Sequence, residues 1–209
     1  MRKGIIVNID LCVGCQACYV ACKQENQVAP NIQWNQIQRE ENESKGIINY
    51  FRMSCMHCDE PACMPVCPVK AISRGPKGEV LVDDAKCIGC HACEKACPWH
   101  VPMFNASGKT SYWDKPALVE IPPAAHQKRI AGKAEHCTLC THRDTPACVE
   151  ACKLGALTLI DYDSPSADQK AMIEASRAMN GADATRPKVR YICTSDDVTK
   201  WKKSSVHLQ

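Results

Sequence analysis

The chain has 209 residues, a formal net charge of +3 and 17 cysteines, and only 5% of its residues are aromatic. This length suits one domain or two small ones, and so small a charge does not favour a nucleic-acid-binding or membrane-surface protein. The hydrophobic content reaches 45% only with the cysteines counted, so we expect something other than an apolar core to hold the chain together.

The N-terminal stretch MRKGIIVNID contains a strand-like apolar run that is too short for a secretory signal. No segment approaches the roughly 20 apolar residues that cross a bilayer, so we expect a water-soluble chain without direct membrane insertion. The odd number of cysteines, in a chain apparently made in a reducing compartment, argues against a framework of disulfides.

Sixteen cysteines fall into four groups along the chain, and Cys193 stands apart. The first and third groups, CVGCQACYVAC and CIGCHACEKACPW, follow C-x2-C-x2-C-x3-C, the spacing of bacterial ferredoxins that carry two clusters. The second and fourth, CMHCDEPACMPVCP and CTLCTHRDTPACVEAC, keep the outer spacings and delay the third cysteine by a loop. In chain order the groups are Cys12, Cys15, Cys18, Cys22; Cys55, Cys58, Cys63, Cys67; Cys87, Cys90, Cys93, Cys97; and Cys137, Cys140, Cys148, Cys152.

Backbone geometry explains the spacing of the first and third groups. A glycine, Gly14 or Gly89, permits the tight loop that directs three thiolates to one cluster, and the fourth cysteine points from a helix to a second cluster. Zinc is the alternative metal, because two C-x2-C pairs make an acceptable tetrahedral site. Pro68 and Pro98, directly after the last cysteine of two groups, favour iron–sulfur clusters.

An internal repeat indicates the architecture. VNIDLCVGCQACYVAC, from Val7, aligns without a gap with VDDAKCIGCHACEKAC, from Val82, and PACMPVCPVKAI resembles PACVEACKLGAL. A ferredoxin unit needs one group of each kind, so the second and third groups form an inner unit, joined by a strand, turn and strand. The first and fourth groups, flanked by GIIVNID and GALTLID, form an outer unit. The predicted fold is α+β: two bacterial-ferredoxin-like βαββαβ domains, one inserted in the other, with long loops and a C-terminal tail.

The predicted boundaries follow from this repeat. The outer domain comprises residues 1–30 plus 130–163, and the inner domain comprises residues 50–100. The two insertions are residues 31–49 and 101–129, and the C-terminal tail is residues 164–209. The insertions are either surface loops or a docking surface with aromatic anchors. In the tail, the capping box of Ser166 and Gln169 and the stop at Asn180-Gly181 predict one helix over about residues 167–179, followed by a short strand at KVRYI.

The repeat also predicts how the ligands are shared. If each group lends its fourth cysteine to its partner's cluster, four sets result. We expect each set to bind one [4Fe–4S] cluster, and Cys193 to be a buried thiol rather than a seventeenth ligand. The sets are Cys12, Cys15, Cys18 with Cys152; Cys22 with Cys137, Cys140, Cys148; Cys55, Cys58, Cys63 with Cys97; and Cys67 with Cys87, Cys90, Cys93.

Several residues beside the ligands have two interpretations. His57 and His91 either donate hydrogen bonds to cluster sulfur or face solvent. Lys23 and Lys153 follow the last cysteine of their groups, where a cation favours the more reduced cluster and where a lysine can equally extend to solvent. Trp99 is expected to pack against the cluster of the third group.

All four cysteine groups, together with the tail segment TRPKVRY, resemble the iron–sulfur subunit of the dimethyl sulfoxide reductase superfamily over nearly the whole chain. The closest resemblance is to the subunits of polysulfide and thiosulfate reductases. It implies a non-catalytic subunit that relays electrons through four [4Fe–4S] clusters to or from a large subunit carrying molybdenum or tungsten on a bis-pterin cofactor. The outer domain faces that subunit, and a membrane quinone-reactive subunit or a soluble carrier takes the other end.

Other interpretations of the sequence stay open beside this resemblance. A free-standing polyferredoxin would carry the same clusters, although the insertions and the tail speak against it, and a zinc-binding interaction module is the third. Lys153 stands where many members have proline, and the loop before the fourth group is long. We expect assembly in the cytoplasm, with the final face, cytoplasmic or periplasmic by co-export with the partner, left open.

Iron removal tests the role of the clusters in folding. Because the ligands of each set lie far apart in the chain, cluster binding and folding are one event. We expect a strong iron chelator to unfold the chain, with loss of its far-ultraviolet circular dichroism and of its cooperative thermal transition. A two-state melt that is unchanged in the iron-free chain would contradict this.

Overall fold

Short strands alternate with short helices along the chain. The structure, a computed structural model, describes residues 1–29, 31–106, 129–179 and 183–194. Within these ranges there are nine β-strands and four α-helices. They are β1 (Lys3–Asn8), α1 (Ala17–Asn26), β2 (Asn35–Asn42), β3 (Ile47–Ser54), β4 (Ile72–Arg74), β5 (Val80–Val82), α2 (Ala92–Ala96), β6 (Met103–Phe104), β7 (Ala134–Glu135), α3 (Ala147–Glu150), β8 (Leu157–Asp161), α4 (Ala167–Ala175) and β9 (Val189–Ile192).

A three-stranded sheet joins the two ends of the described chain. Its order is β8-β1-β9, with β1 antiparallel to β8 and parallel to β9. Ile5, Ile6 and Val7 of the central strand are fully buried. A continuous apolar run is typical of a strand covered on both faces. The strands predicted at GIIVNID, GALTLID and KVRYI therefore all form, and they form in one sheet.

A two-stranded hairpin, β2 and β3, follows the first cysteine group. The predicted strand at GIINYFRMS is β3, which pairs antiparallel with β2 from Asn35 opposite Ser54 to Asn42 opposite Ile47. We did not predict β2, because its sequence NQIQREEN has a single large apolar residue and no apolar alternation. Its pairing to the apolar end of β3, buried from Phe51 onward, supplies what its own sequence lacks.

The inner segment has shorter strands. The predicted strand, turn and strand between the second and third cysteine groups are β4 and β5, with Ile72 opposite Val82. Gly78 adopts a φ of +71°, which suits glycine at the turn. Strands of three residues are marginal by themselves, so this hairpin depends on what packs against it.

The tail helix α4 is shorter than predicted. Its N-terminus has the expected capping box, with the Ser166 hydroxyl accepting from Gln169 N at 3.2 Å and the Gln169 side chain accepting from Ser166 N at 3.3 Å. The helix ends at Ala175 instead of near residue 179, because Arg177 leaves it for a β-bridge with Tyr191 of β9. The sequence could not show this competition between a helix and a distant strand.

The core mixes cysteines with apolar side chains. Its largest cluster contains Ile5, Phe51 and Trp99 together with Cys18, Cys58 and Cys148, among others. No helix of the described residues is long and apolar enough to cross a membrane. The aromatic anchors predicted in the second insertion, Tyr112 and Trp113, lie outside the described residues.

Candidate metal centres

Three cavities are each lined by four cysteines from two different groups. The first lies between the loop before α1 and the end of α3, the second between the second group and the end of α2, and the third beside the β4–β5 hairpin. In that order their cysteines are Cys12, Cys15, Cys18, Cys152; Cys55, Cys58, Cys63, Cys97; and Cys67, Cys87, Cys90, Cys93.

The remaining four cysteines, Cys22, Cys137, Cys140 and Cys148, also lie together. All four are buried. Burial raises the pKa of the Cys22 thiol well above its ordinary value, and the other three thiols raise it further. The Asn26 amide nitrogen lies 3.8 Å from the sulfurs of both Cys22 and Cys140, which bridges the first and fourth groups. The structure therefore places twelve of the sixteen cysteines around three cavities, four at each, and keeps the other four close to one another.

The two C-x2-C-x2-C loops have the same backbone. Gly14 and Gly89 both have a φ of +70°, and the residues before α1 and α2, Gln16 and His91, both have a φ of +62°. A Cβ on Gly14 would lie 2.5 Å from the ring of Tyr50. Glycine is therefore required for its backbone angles and for the close approach of β3 to the loop.

The thiols sit in surroundings that disfavour their charge. Burial raises the pKa of Cys18 and Cys93 to about 11 and that of Cys58 and Cys137 to about 12. Iron binds the thiolate, so a metal must displace protons that these sites hold strongly. Closely placed thiols in an apolar lining are soft donors, which suit iron–sulfur clusters, copper(I) and zinc.

The number of thiols at each cavity suits a cluster. A [4Fe–4S] cluster is ligated by four separate cysteine thiolates, one at each of its irons. The sets of four that line the cavities match this requirement.

Comparison with known proteins decides between iron–sulfur clusters and the other metals that cysteines bind. Models of the 4Fe-4S dicluster domain match residues 11–71 and 86–156, and residues 47–118. The iron-sulfur subunit of arsenate respiratory reductase from Shewanella sp. (strain ANA-3) is 31% identical over 92% of this chain and 96% of its own. A tetrathionate reductase subunit of Salmonella typhimurium is 31% identical over 93% of this chain and 74% of its own.

A third relative is named for its role. The thiosulfate reductase electron transfer subunit of Salmonella typhi is 33% identical over 82% of this chain and 84% of its own. The chain belongs to the iron–sulfur subunits of the dimethyl sulfoxide reductase superfamily. This iron–sulfur subunit transfers electrons through four [4Fe–4S] clusters in ferredoxin-like dicluster domains, and it is not the catalytic subunit of its complex.

Buried donors without protein acceptors show that the surroundings fit such clusters. Within the described residues, three side chains near the cysteines have buried nitrogens with no hydrogen-bond partner: Arg52 at Nε and Nη1, His57 at Nε2, and Trp99 at Nε1. Buried polar groups in native proteins are normally paired. Cluster sulfides and thiolates accept hydrogen bonds from such donors and are tuned by them.

His57 and His91 behave differently, although both lie between ligand cysteines. His57 is fully buried, and its Nδ1 accepts from Val80 N at 3.1 Å. Burial holds the pKa of His57 well below its ordinary value, so the ring is neutral and carries its proton on Nε2. His91 is exposed, stacks on Phe104 and contacts Glu94 at 2.9 Å. The donor interpretation therefore suits His57, and the solvent interpretation suits His91.

Trp99 and Cys193 lie near the main core. Trp99 is buried in the core cluster that contains Cys58 and Cys148, and Cys97 of the third group packs against that cluster, so its packing against the site of the third group stays a prediction. Cys193 is half-buried against the same core, and its carbonyl accepts from Arg177 at 2.8 Å.

Arg52 is the main functional candidate that the sequence analysis missed. Its side chain is buried in β3 and reaches 3.8 Å from the sulfur of Cys137. Burial opposes its charge, but nearby thiolates, Cys148 first, keep the pKa of the guanidinium above its ordinary value. The available signal was a charged residue inside the apolar run YFRM, three residues before Cys55.

Lys23 does not extend to solvent, and the nearby thiol of Cys22 acts on its charge. It is buried, and its Nζ donates to the carbonyls of Ala29 at 2.5 Å and Ile32 at 2.6 Å. Burial lowers the pKa of Lys23 to about 8. The side chain thus holds the segment after α1 against the helix. Lys153, at the matching position, is exposed.

Substitution of these two lysines separates a structural role from a surface role. We expect Lys23→Met to lower the free energy of unfolding by about 2–3 kcal/mol, because two carbonyls lose a charged donor. Lys153→Met is the matched control and should change it by less than about 0.5 kcal/mol. Anaerobic denaturant titration of the cluster-loaded protein measures both. Equal stability of the two variants would contradict the structural role of Lys23.

Proposed function

We propose that this iron–sulfur subunit relays single electrons between a catalytic subunit that carries molybdenum or tungsten on a bis-pterin cofactor and a second redox partner. That partner is a membrane quinone-reactive subunit or a soluble carrier. The observation that supports this proposal is that cysteines of different groups line the same cavity, so that neighbouring sites share a cysteine group. When bound, a [4Fe–4S] cluster takes up and releases one electron at a time.

The proposed ligands are the sixteen cysteines in their four sets. The contents of the three cavities and the mutual approach of the remaining four cysteines support this distribution. The sets are Cys12, Cys15, Cys18, Cys152; Cys22, Cys137, Cys140, Cys148; Cys55, Cys58, Cys63, Cys97; and Cys67, Cys87, Cys90, Cys93.

The same pairing supports an outer ferredoxin-like domain, residues 1–30 plus 130–163, that encloses an inner one, residues 50–100. β1 pairs with β8, and α1 packs against α3, which brings the first and fourth cysteine groups together. The inner domain has its own hairpin and helix between those segments.

Helix geometry sets the step between neighbouring sites. Cys18 and Cys22 lie one turn apart on α1, and residues four apart are about 6 Å apart along a helix axis. Each of the two belongs to a different set, so α1 holds two sites at a short separation. Cys93 on α2 and Cys97, the residue that follows the helix, likewise belong to different sets. Cys55 packs against the buried cluster that contains Cys22, which joins the inner sites to the outer ones.

The four proposed sites form a series, and the sites at its two ends, in the first and the third cavity, reach the surface. Cys15 and Cys90 are exposed, whereas the other fourteen ligands are buried or half-buried. Each exposed cysteine lines a cavity that has an exposed aliphatic side chain at its rim, Leu154 beside the first and Val69 beside the third. Exposed apolar side chains around a site are typical of protein contact surfaces. We assign the Cys15 end to the catalytic subunit and the Cys90 end to the second partner.

Single alanine substitutions test the ligand distribution. We expect Cys18→Ala and Cys152→Ala to remove the same electron paramagnetic resonance signal of the reduced protein, because both ligate one cluster. Cys148→Ala should remove a different signal, although it lies closer to Cys152 in sequence. Cys193→Ala is the control and should keep all four clusters. Loss of one common signal in Cys148→Ala and Cys152→Ala would contradict the sharing of ligands.

Charged substitutions at the two ends test the partners. We expect Leu154→Glu to abolish co-purification of the catalytic subunit, because it places a charge in an apolar contact. Val69→Glu should retain the catalytic subunit and lose electron transfer to the second partner. Both variants should keep four clusters, as measured by iron content and spectroscopy.

Two outcomes would count against this assignment. If both variants retain the catalytic subunit and full electron transfer, neither end is a contact surface. If the wild-type protein is isolated from its native source only as a species of 23.1 kDa, the free-standing carrier is the better interpretation.

A further inference from the structure

A buried arginine lies between two of the cysteine sets. Arg52 is only 1% exposed, and on β3 it stands opposite Ile37 of β2, which lines the first cavity with it. Its Nη2 is 3.8 Å from the sulfur of Cys137, which belongs to the set of Cys22. The guanidinium therefore faces the first cavity on one side and the thiol of a second set on the other.

No carboxylate of the described residues neutralises this cation. Its Nε and Nη1 are buried, and neither has a hydrogen-bond partner among the described residues. An uncompensated buried charge is strongly destabilising, so proteins pair such groups. The groups that can compensate it are Cys137, Cys148, Cys18 and Cys22, whose thiolates become negative when these cysteines bind metal.

We propose that Arg52 tunes the two outer clusters together: its guanidinium donates N–H groups toward the sulfur atoms of both and stabilises their reduced states. The inference rests on the proposed ligand distribution. The guanidinium is protonated at every accessible pH, so the effect does not depend on titration.

The physical reason is the charge that reduction adds. An electron makes a thiolate-ligated cluster more negative, and a fixed cation a few ångströms away favours that state. Burial strengthens the attraction, because the local dielectric is far below that of water. The cluster of Cys22, Cys137, Cys140 and Cys148 should be affected most, since the nearest sulfur belongs to it. The cluster of Cys67, Cys87, Cys90 and Cys93 should not be affected.

Reduction potentials test the charge. In the purified holoprotein, we expect Arg52→Met to lower the midpoint potentials of two of the four clusters by at least about 59 mV, a tenfold fall in each one-electron reduction constant. Arg52→Lys keeps the charge and should produce a smaller shift of the same two. Arg39→Met, at an exposed arginine of the same hairpin, is the matched control and should shift none. Potentiometric titration followed by electron paramagnetic resonance measures all three.

Isotope labelling tests the contact without any change of sequence. In wild-type protein grown with [15N]arginine, we expect pulsed electron paramagnetic resonance to detect 15N hyperfine coupling to reduced clusters. That coupling should disappear in Arg52→Lys. This measurement decides the matter if Arg52→Met fails to assemble its clusters.

Three results would overturn the inference: unchanged midpoints in Arg52→Met with four clusters present, an equal shift of all four clusters, or no arginine coupling in the wild type. A failure of the proposed ligand distribution is distinguishable. In that case Cys18→Ala and Cys152→Ala remove different signals, while the arginine coupling still reports whether Arg52 contacts a cluster.

Discussion

The bond between a cysteine thiolate and iron is the constraint on which this architecture depends. The helices that carry ligands are short: α2 has five residues and α3 has four. Helices of this length are unstable in water without tertiary contacts. Cysteines from both ends of the chain occupy the core positions that large apolar residues fill in other domains. Ligation of iron by these cysteines therefore supplies much of the stabilisation that apolar burial supplies in other domains.

The local parts of the fold could be predicted from the sequence. The apolar run of β1, the glycine-containing turn between β4 and β5 and the capping box of α4 all have short-range signals, and all three form. An internal repeat and a fixed ligand spacing also limit the possible pairings of the cysteine groups. These signals are strong because each depends on a few neighbouring residues.

The parts that could not be predicted depend on distant partners. β2 is polar and becomes a strand because β3 pairs with it. Helix α4 ends early because Arg177 bonds to β9. Lys23, Trp99 and Arg52 carry polar groups whose roles are set by carbonyls, core side chains and thiols from other segments. No local pattern distinguishes a buried lysine or arginine of this kind from an exposed one.

The long-range pairing of β1 has a consequence for biosynthesis. β1 is complete once residue 8 has been made, but its neighbours β8 and β9 are not complete until residues 161 and 192. The segment of residues 55–97, by contrast, contains its own hairpin and two cysteine groups and leaves the ribosome long before that. During synthesis, β1 therefore has no sheet partner until residues 161 and 192 have been made, whereas the hairpin of the inner segment can form much earlier.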